Sequence, residues 1–169
     1  MYKVLQLKTL FILSLFFVAS CAPSAPTPTS VPVATLANLD EEMTLAVRQA
    51  QDTLYILRQA MLAPKPSYKF LSVKVRFASN GDIEDMWTEP IDFSDSKYTV
   101  RLVEGVTLEL GAHPDRLIEV APRDVLDWMI LEKDGSVFGG YTLRIEYQRM
   151  TPDQQKRYDE VTGYKFEKQ

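Results

Sequence analysis

The sequence predicts an α+β fold. An N-terminal amphipathic helix packs on a small, mostly antiparallel, strongly curved sheet or partial barrel of about five or six strands, with a short C-terminal helix. Three observations predict it. Apolar residues recur at Met43, Val47, Ala50, Leu54, Leu57 and Met61, alternately four and three apart, which draws one stripe down a helix. From Tyr68 the apolar period changes to two, the signature of strands with one covered face. Thr151-Pro152-Asp153-Gln154 then supplies a complete helix start: a capping hydroxyl, a proline in the first turn and a glutamine at the third position.

Each element follows in order. The first helix spans about residues 40 to 62, capped by Asn38 with Glu41 three residues on, and acids in its first turn suit the helix dipole. Ala63-Pro64-Lys65-Pro66 ends it, because proline cannot continue a helix and restrains the residue before it. Leu71, Val73, Val75 and Phe77 alternate with Ser72, Lys74 and Arg76, a half-buried strand that leads into an Asn80-Gly81 hairpin turn. The return strand runs through Met86 and Trp87 to Ile91 and Phe93. Tyr98, Val100 and Leu102 alternate again, as do Val106, Leu108 and Leu110. Leu117 to Val120, Val125 to Leu131 and the segment after the Asp134-Gly135 turn complete at least five strands. Tyr141, Leu143, Ile145 and Tyr147 also alternate, yet Thr142 can equally cap a helix, so that segment fits both periods. The terminal helix runs from 152 to about 161 and stops near Gly163.

A chain of 169 residues, 46% hydrophobic and 25% charged, holds one domain of ordinary composition. The single cysteine excludes an intrachain disulfide, and with one histidine it excludes a zinc site built from those ligands. A net charge of −4 argues against a basic nucleic-acid surface. No cofactor-binding or metal-binding motif is present. Gly139-Gly140 has neither the ending nor the spacing of a phosphate loop, and a bulge or close backbone contact is the expected use.

The first 37 residues do not belong to the domain. Lys3 and Lys8 precede an apolar run, Leu10 to Val18, too short to span a bilayer, and Ala19-Ser20 lead into Cys21. This is the pattern of a secretory signal over residues 1–20. Residues 21–37 are then an anchor and a proline-rich tether. Ala22 to Ala37 carries four prolines and no charge, an extended spacer reaching roughly 50 Å. Residues 38–166 form the single α+β domain.

Few residues offer chemistry. Asp82, Glu84, Asp85, Glu89, Asp92 and Asp95 crowd one strand and its ends. They suit a solvated acidic rim or a facing carboxylate pair, and they lack the alternation of a calcium loop. His113 sits in a turn-like segment without a serine in a nucleophile elbow. Asp127 interrupts the apolar run from Val125 to Leu131, where a bare carboxylate is costly. It either accepts backbone N–H bonds or pairs with an arginine such as Arg144, or else it lies in a pocket beside Trp128.

Leu15 to Cys21 resembles the lipobox of bacterial lipoproteins, which implies a lipid on Cys21 and a firm membrane anchor. Ala22 after the cysteine goes with sorting to the outer membrane. The domain itself is similar to the uncharacterised bacterial YegJ-like family, in a lipoprotein form. The residues carrying that likeness are Val73-Lys74-Val75-Arg76-Phe77, Glu84-Asp85-Met86-Trp87, Asp127-Trp128-Met129 and Gly139-Gly140-Tyr141-Thr142-Leu143-Arg144. Ala46, Ala50, Thr53 and Leu54 of the first helix add to it, and the likeness covers about residues 40 to 166. Val103-Glu104-Gly105 and Pro114-Asp115 depart from the family's usual central loops.

The resemblance brings no reaction or substrate. The expectation is a non-catalytic, lipid-anchored module of the bacterial cell envelope, on the periplasmic face of the outer membrane in a Gram-negative cell. It would bind an envelope protein or a cell-wall component through Trp87, Asp127, Trp128, Gly139, Gly140, Tyr141 and Arg144. The alternatives are a carboxylate-dependent envelope hydrolase and an immunity- or inhibitor-type protein.

Overall fold

The computed structural model describes residues 40–79, 82–102 and 117–166. The segments expected as a signal and a tether, Cys21, Asn38, the expected Asn80-Gly81 turn, the strand expected at 106–110 and His113 lie outside the described residues. Within them, the fold is α+β. Helices α1 (Glu41–Asp52) and α2 (Leu54–Leu62) precede strands β1 (Tyr68–Ser79), β2 (Asp82–Ser94), β3 (Lys97–Leu102) and β4 (Leu117–Val120). Strands β5 (Val125–Glu132) and β6 (Ser136–Gly139) follow, then α3 (Tyr141–Gln148), α4 (Pro152–Thr162) and β7 (Lys165–Phe166).

The strands form one seven-stranded sheet in the order β4-β3-β2-β1-β5-β6-β7. It is not closed into a barrel, and it holds more strands than the five or six expected. Every described pairing is antiparallel except β6 with β7, which is parallel. β1 and β2 pair out to Ser79↔Asp82, so two residues connect them. The β2–β3 turn places Asp95 and Ser96 at φ 49° and 61°, the left-handed pair that a two-residue hairpin requires.

One sheet face carries the larger core. Val73, Val75 and Phe77 of β1, Tyr98 and Val100 of β3, Ile118 and Val120 of β4, and Trp128 and Ile130 of β5 pack with Ala50, Leu54, Leu57 and Ala60 of the helices. On the other face, Met129, Leu131 and Val137 meet Leu143 of α3, with Phe70, Trp87, Tyr158, Tyr164 and Phe166 around them. Fully burying each large apolar side chain contributes about 1.5–3 kcal/mol.

Four local expectations change. The single helix over 40–62 is interrupted at Thr53, whose φ of −106° and ψ of 6° leave the helical region. Its cap is Asp40, whose carboxylate accepts from the Met43 amide at 2.9 Å. The segment from Tyr141 to Gln148 is a helix. Strand β1 is not half-buried, because Lys74 and Arg76, on the face predicted to meet solvent, are only 6% and 9% exposed. Each long stem is covered and its charge is paired: Lys74 Nζ with Glu146 at 2.6 Å, and Arg76 with both oxygens of Asp85 at 2.6 and 2.7 Å. The terminal helix matches its prediction, with a reciprocal Thr151–Gln154 capping box and Gly163 at its end.

Candidate functional site

Asp127 and Trp128 are neighbours on β5, so their side chains leave opposite faces of the sheet. Each closes the end of a helix. The buried Asp127 carboxylate sits at the start of α3. It accepts from the amides of Tyr141 (3.0 Å) and Thr142 (2.8 Å), from the Thr142 hydroxyl (2.8 Å), more weakly from Leu143 (3.4 Å), and from the Trp128 amide (2.8 Å). The first amides of a helix have no partner within the helix, and its N-terminus favours negative charge. Asp127 thus caps a helix that begins 14 residues later, where Gly140 offers no capping side chain. Burial pushes the Asp127 carboxyl up from its ordinary value, against the pull of the Thr142 hydroxyl and the three nearest amides.

Trp128 does the converse. Its indole N–H donates to Ala50 O at 3.0 Å, in the last turn of α1, and lies 3.1 Å from Thr53 Oγ1. The Thr53 hydroxyl also reaches back to Gln49 O at 2.6 Å, and the Tyr141 hydroxyl stands 3.1 Å from it. This cluster marks the break between α1 and α2. The Tyr141 ring meets the indole edge-on, with centroids 6.1 Å apart.

The two glycines let β6 turn into α3 against this pair. The Gly140 amide donates to Trp128 O at 2.8 Å. A Cβ on Gly139, at φ 72°, would strike Trp128 O and come within 2.8 Å of the indole Cε3. Arg144 then folds back over the turn, donating to Gly139 O (3.0 Å) and Val137 O (2.9 Å), with its guanidinium 5.1 Å from the Phe166 ring centroid. Of the two partners expected for Asp127, backbone amides are the ones that hold it.

Of the expected site residues, Asp127, Trp128, Gly139, Gly140, Tyr141 and Arg144 therefore converge on one junction between β5, β6, α1 and α3. Asp127, at 0% exposure, and Trp128, at 1%, lie in its interior. What reaches the surface is a groove of about 260 Å³ between α1 and α3, lined by Leu45, Ala46 and Gln49 on one side and Tyr141, Arg144 and Ile145 on the other. Trp87 stands apart, opposite Lys74 on the β1–β2 ladder and within the smaller core cluster. Cys21 is outside the described residues.

Two acids of the 82–95 stretch are each held by an arginine. Asp85 is held by Arg76, and Glu89 is paired with Arg101 at 2.6 Å on the neighbouring strand. Among the described residues, no group of three or more metal-ligating side chains converges. Also among them, no helix is long and apolar enough to cross a membrane.

Sequence reasoning missed Thr53 and Leu45 as parts of this region, and Lys74 and Glu146 as a covered pair. The signal for Thr53 was present, since Asp52 and Thr53 put two weak helix formers in succession inside the predicted helix. Comparison with characterised proteins found no match, and comparison with solved structures found none. A family model described as an uncharacterised protein conserved in bacteria (DUF2314) matches residues 40–166, from the cap of α1 to the end of β7. The chain belongs to the DUF2314 family of bacterial proteins.

Proposed function

We propose that this protein is a non-catalytic binding module of the bacterial cell envelope, the lipoprotein form of a YegJ-like domain, held to the membrane through Cys21. In a Gram-negative cell its place is the periplasmic face of the outer membrane. The observation that carries binding is the α1–α3 groove. Its floor rests on a junction in which Asp127 and Trp128 fix one helix each, so its walls are held by buried contacts rather than by mobile loops. The apolar Leu45, half exposed at 50%, together with Ile145, offers contact area to an envelope protein or cell-wall component, while Gln49 and Tyr141 add polar selectivity. The lipobox-like run and the uncharged spacer support the anchor.

Carboxylate catalysis is the weaker reading. Asp127 commits both oxygens to the α3 amides, and Asp85 and Glu89 are engaged by arginines.

The test is photo-crosslinking in intact cells from Gln49 and Gln148 in the groove, with Val161 on α4 as the outside control. A common product from both groove positions, absent at Val161, supports the module. Products that are equal at all three positions, or absent, overturn it. Membrane fractionation of Cys21→Ser tests the anchor separately: the wild type sediments with membranes and the variant is released.

A further inference from the structure

A small cavity of about 40 Å³ lies beneath the α1–α3 layer, away from the groove, lined by Lys74, Asp85, Thr142, Glu146, Met43 and Leu126. Lys74 is the unusual member. Its side chain is 8% exposed, and an ammonium has three N–H donors. One goes to Glu146 Oε1 at 2.6 Å, and the Trp87 ring lies on another side with its centroid 5.9 Å away. Among the described residues, no second acceptor lies within hydrogen-bond distance of Lys74 Nζ. A buried ammonium short of partners is expensive, and the cavity supplies what a water requires: polar walls and more than the roughly 10–15 Å³ that one molecule needs.

We infer that this cavity is a structural hydration site, in which an ordered water accepts from Lys74 Nζ and donates to the Asp85 carboxylate. The acceptor is suited to it. Each Asp85 oxygen already takes one bond from Arg76, at 2.6 and 2.7 Å, and a carboxylate oxygen accepts two. The lining carries two carboxylates, Asp85 and Glu146, against the one ammonium of Lys74, with Arg76 paired to Asp85 beside it and Asp127 cross-strand from Lys74, which disfavours an anion as the occupant. The water turns two separate ion pairs into one network. Glu146 of α3, Lys74 of β1 and Asp85 of β2 become linked, so α3 is fixed against the sheet on the side opposite Asp127's neighbouring strand β6.

A crystal structure of the protein that shows ordered solvent tests this directly. The expected result is a solvent peak about 2.8 Å from Lys74 Nζ and within hydrogen-bond distance of Asp85. Absence of that peak overturns the inference, as does an anomalous signal at that position in bromide-soaked crystals, which identifies a halide. In solution, deuteron relaxation dispersion of Lys74→Met is expected to count at least one fewer long-lived water than the wild type, and an unchanged count overturns the assignment. If Lys74→Met does not fold, the wild-type density decides alone.

Discussion

Asp127 draws its importance from the donors it gathers. Replacing it with asparagine keeps the shape but puts an NH₂ where an oxygen met amides, so donors face donors at the start of α3. Each buried donor left unpaired costs about 1–3 kcal/mol and the amide leaves at least two of them, so Asp127→Asn is expected to destabilise the domain by at least about 2 kcal/mol in urea unfolding. A loss below about 1 kcal/mol would show that the cap is dispensable. Glycine provides a second comparison at this scale. Gly139 and Gly163 have nearly the same φ, 72° and 65°, but only Gly139 has neighbours that a Cβ would strike. Gly163→Ala should cost only the left-handed backbone penalty, about 1 kcal/mol, whereas Gly139→Ala adds overlap with Trp128 and should cost at least about 2 kcal/mol more. Equal losses in the two variants would mean that the indole can move aside.

The break at Thr53 shows how one element shapes another. A continuous amphipathic helix fits the apolar spacing from Met43 to Met61, and the buried Val47, Ala50, Leu54 and Leu57 lie on the predicted stripe. The interruption comes from outside the helix, from an indole N–H seated on Ala50 O. Trp128→Phe keeps most of the ring and removes that donor, so it is expected to cost about 1–2 kcal/mol and to increase amide exchange at residues 51–55 above the rest of α1. Uniform exchange along both helices would count against the indole as the cause.

The same logic explains which elements the sequence revealed. Leu117–Val120 and the 152–162 helix were readable because their signals, alternation and a capping box, lie inside the element. The segment 141–148 was ambiguous because its apolar spacing satisfies both periods, and the decision rests on Asp127, 14 residues earlier in the chain. Strand β7 was missed because two residues carry no period. Lys74 and Arg76 were read as solvent-facing because their partners, Glu146 and Asp85, become neighbours only once the sheet and α3 have assembled. The junction was legible as a set of residues, and its role as a double helix cap required the fold.

At the scale of the whole molecule, an exposed contact joins the start of the described chain to the corner between α3 and α4. Arg149, just after α3, holds Asp40 at 2.7 Å and Glu42 at 2.8 Å, tying the first turn of α1 to the α3–α4 corner. The hydrogen bond from Arg149, the Met43 amide and the nearby positive charge bring the Asp40 carboxyl down to about 2 from an ordinary 3.8. A carboxyl whose folded pKa is depressed adds stability that is fully present above its unfolded value and is lost as pH falls toward the folded one. The clamp therefore works at neutral pH and opens between about pH 4 and pH 2. Because Asp40 is exposed, salt screens the charge part of this contact, and its effect shrinks as ionic strength rises. Asp40→Asn keeps an oxygen for the Met43 amide but loses the titration. The expected outcome is a variant slightly less stable than the wild type at pH 7 that converges on it as the pH approaches 2, with a smaller gap in high salt. Urea midpoints measured from pH 7 to pH 2 check this, and a difference that stays constant across that range would place the role of Asp40 in its cap alone.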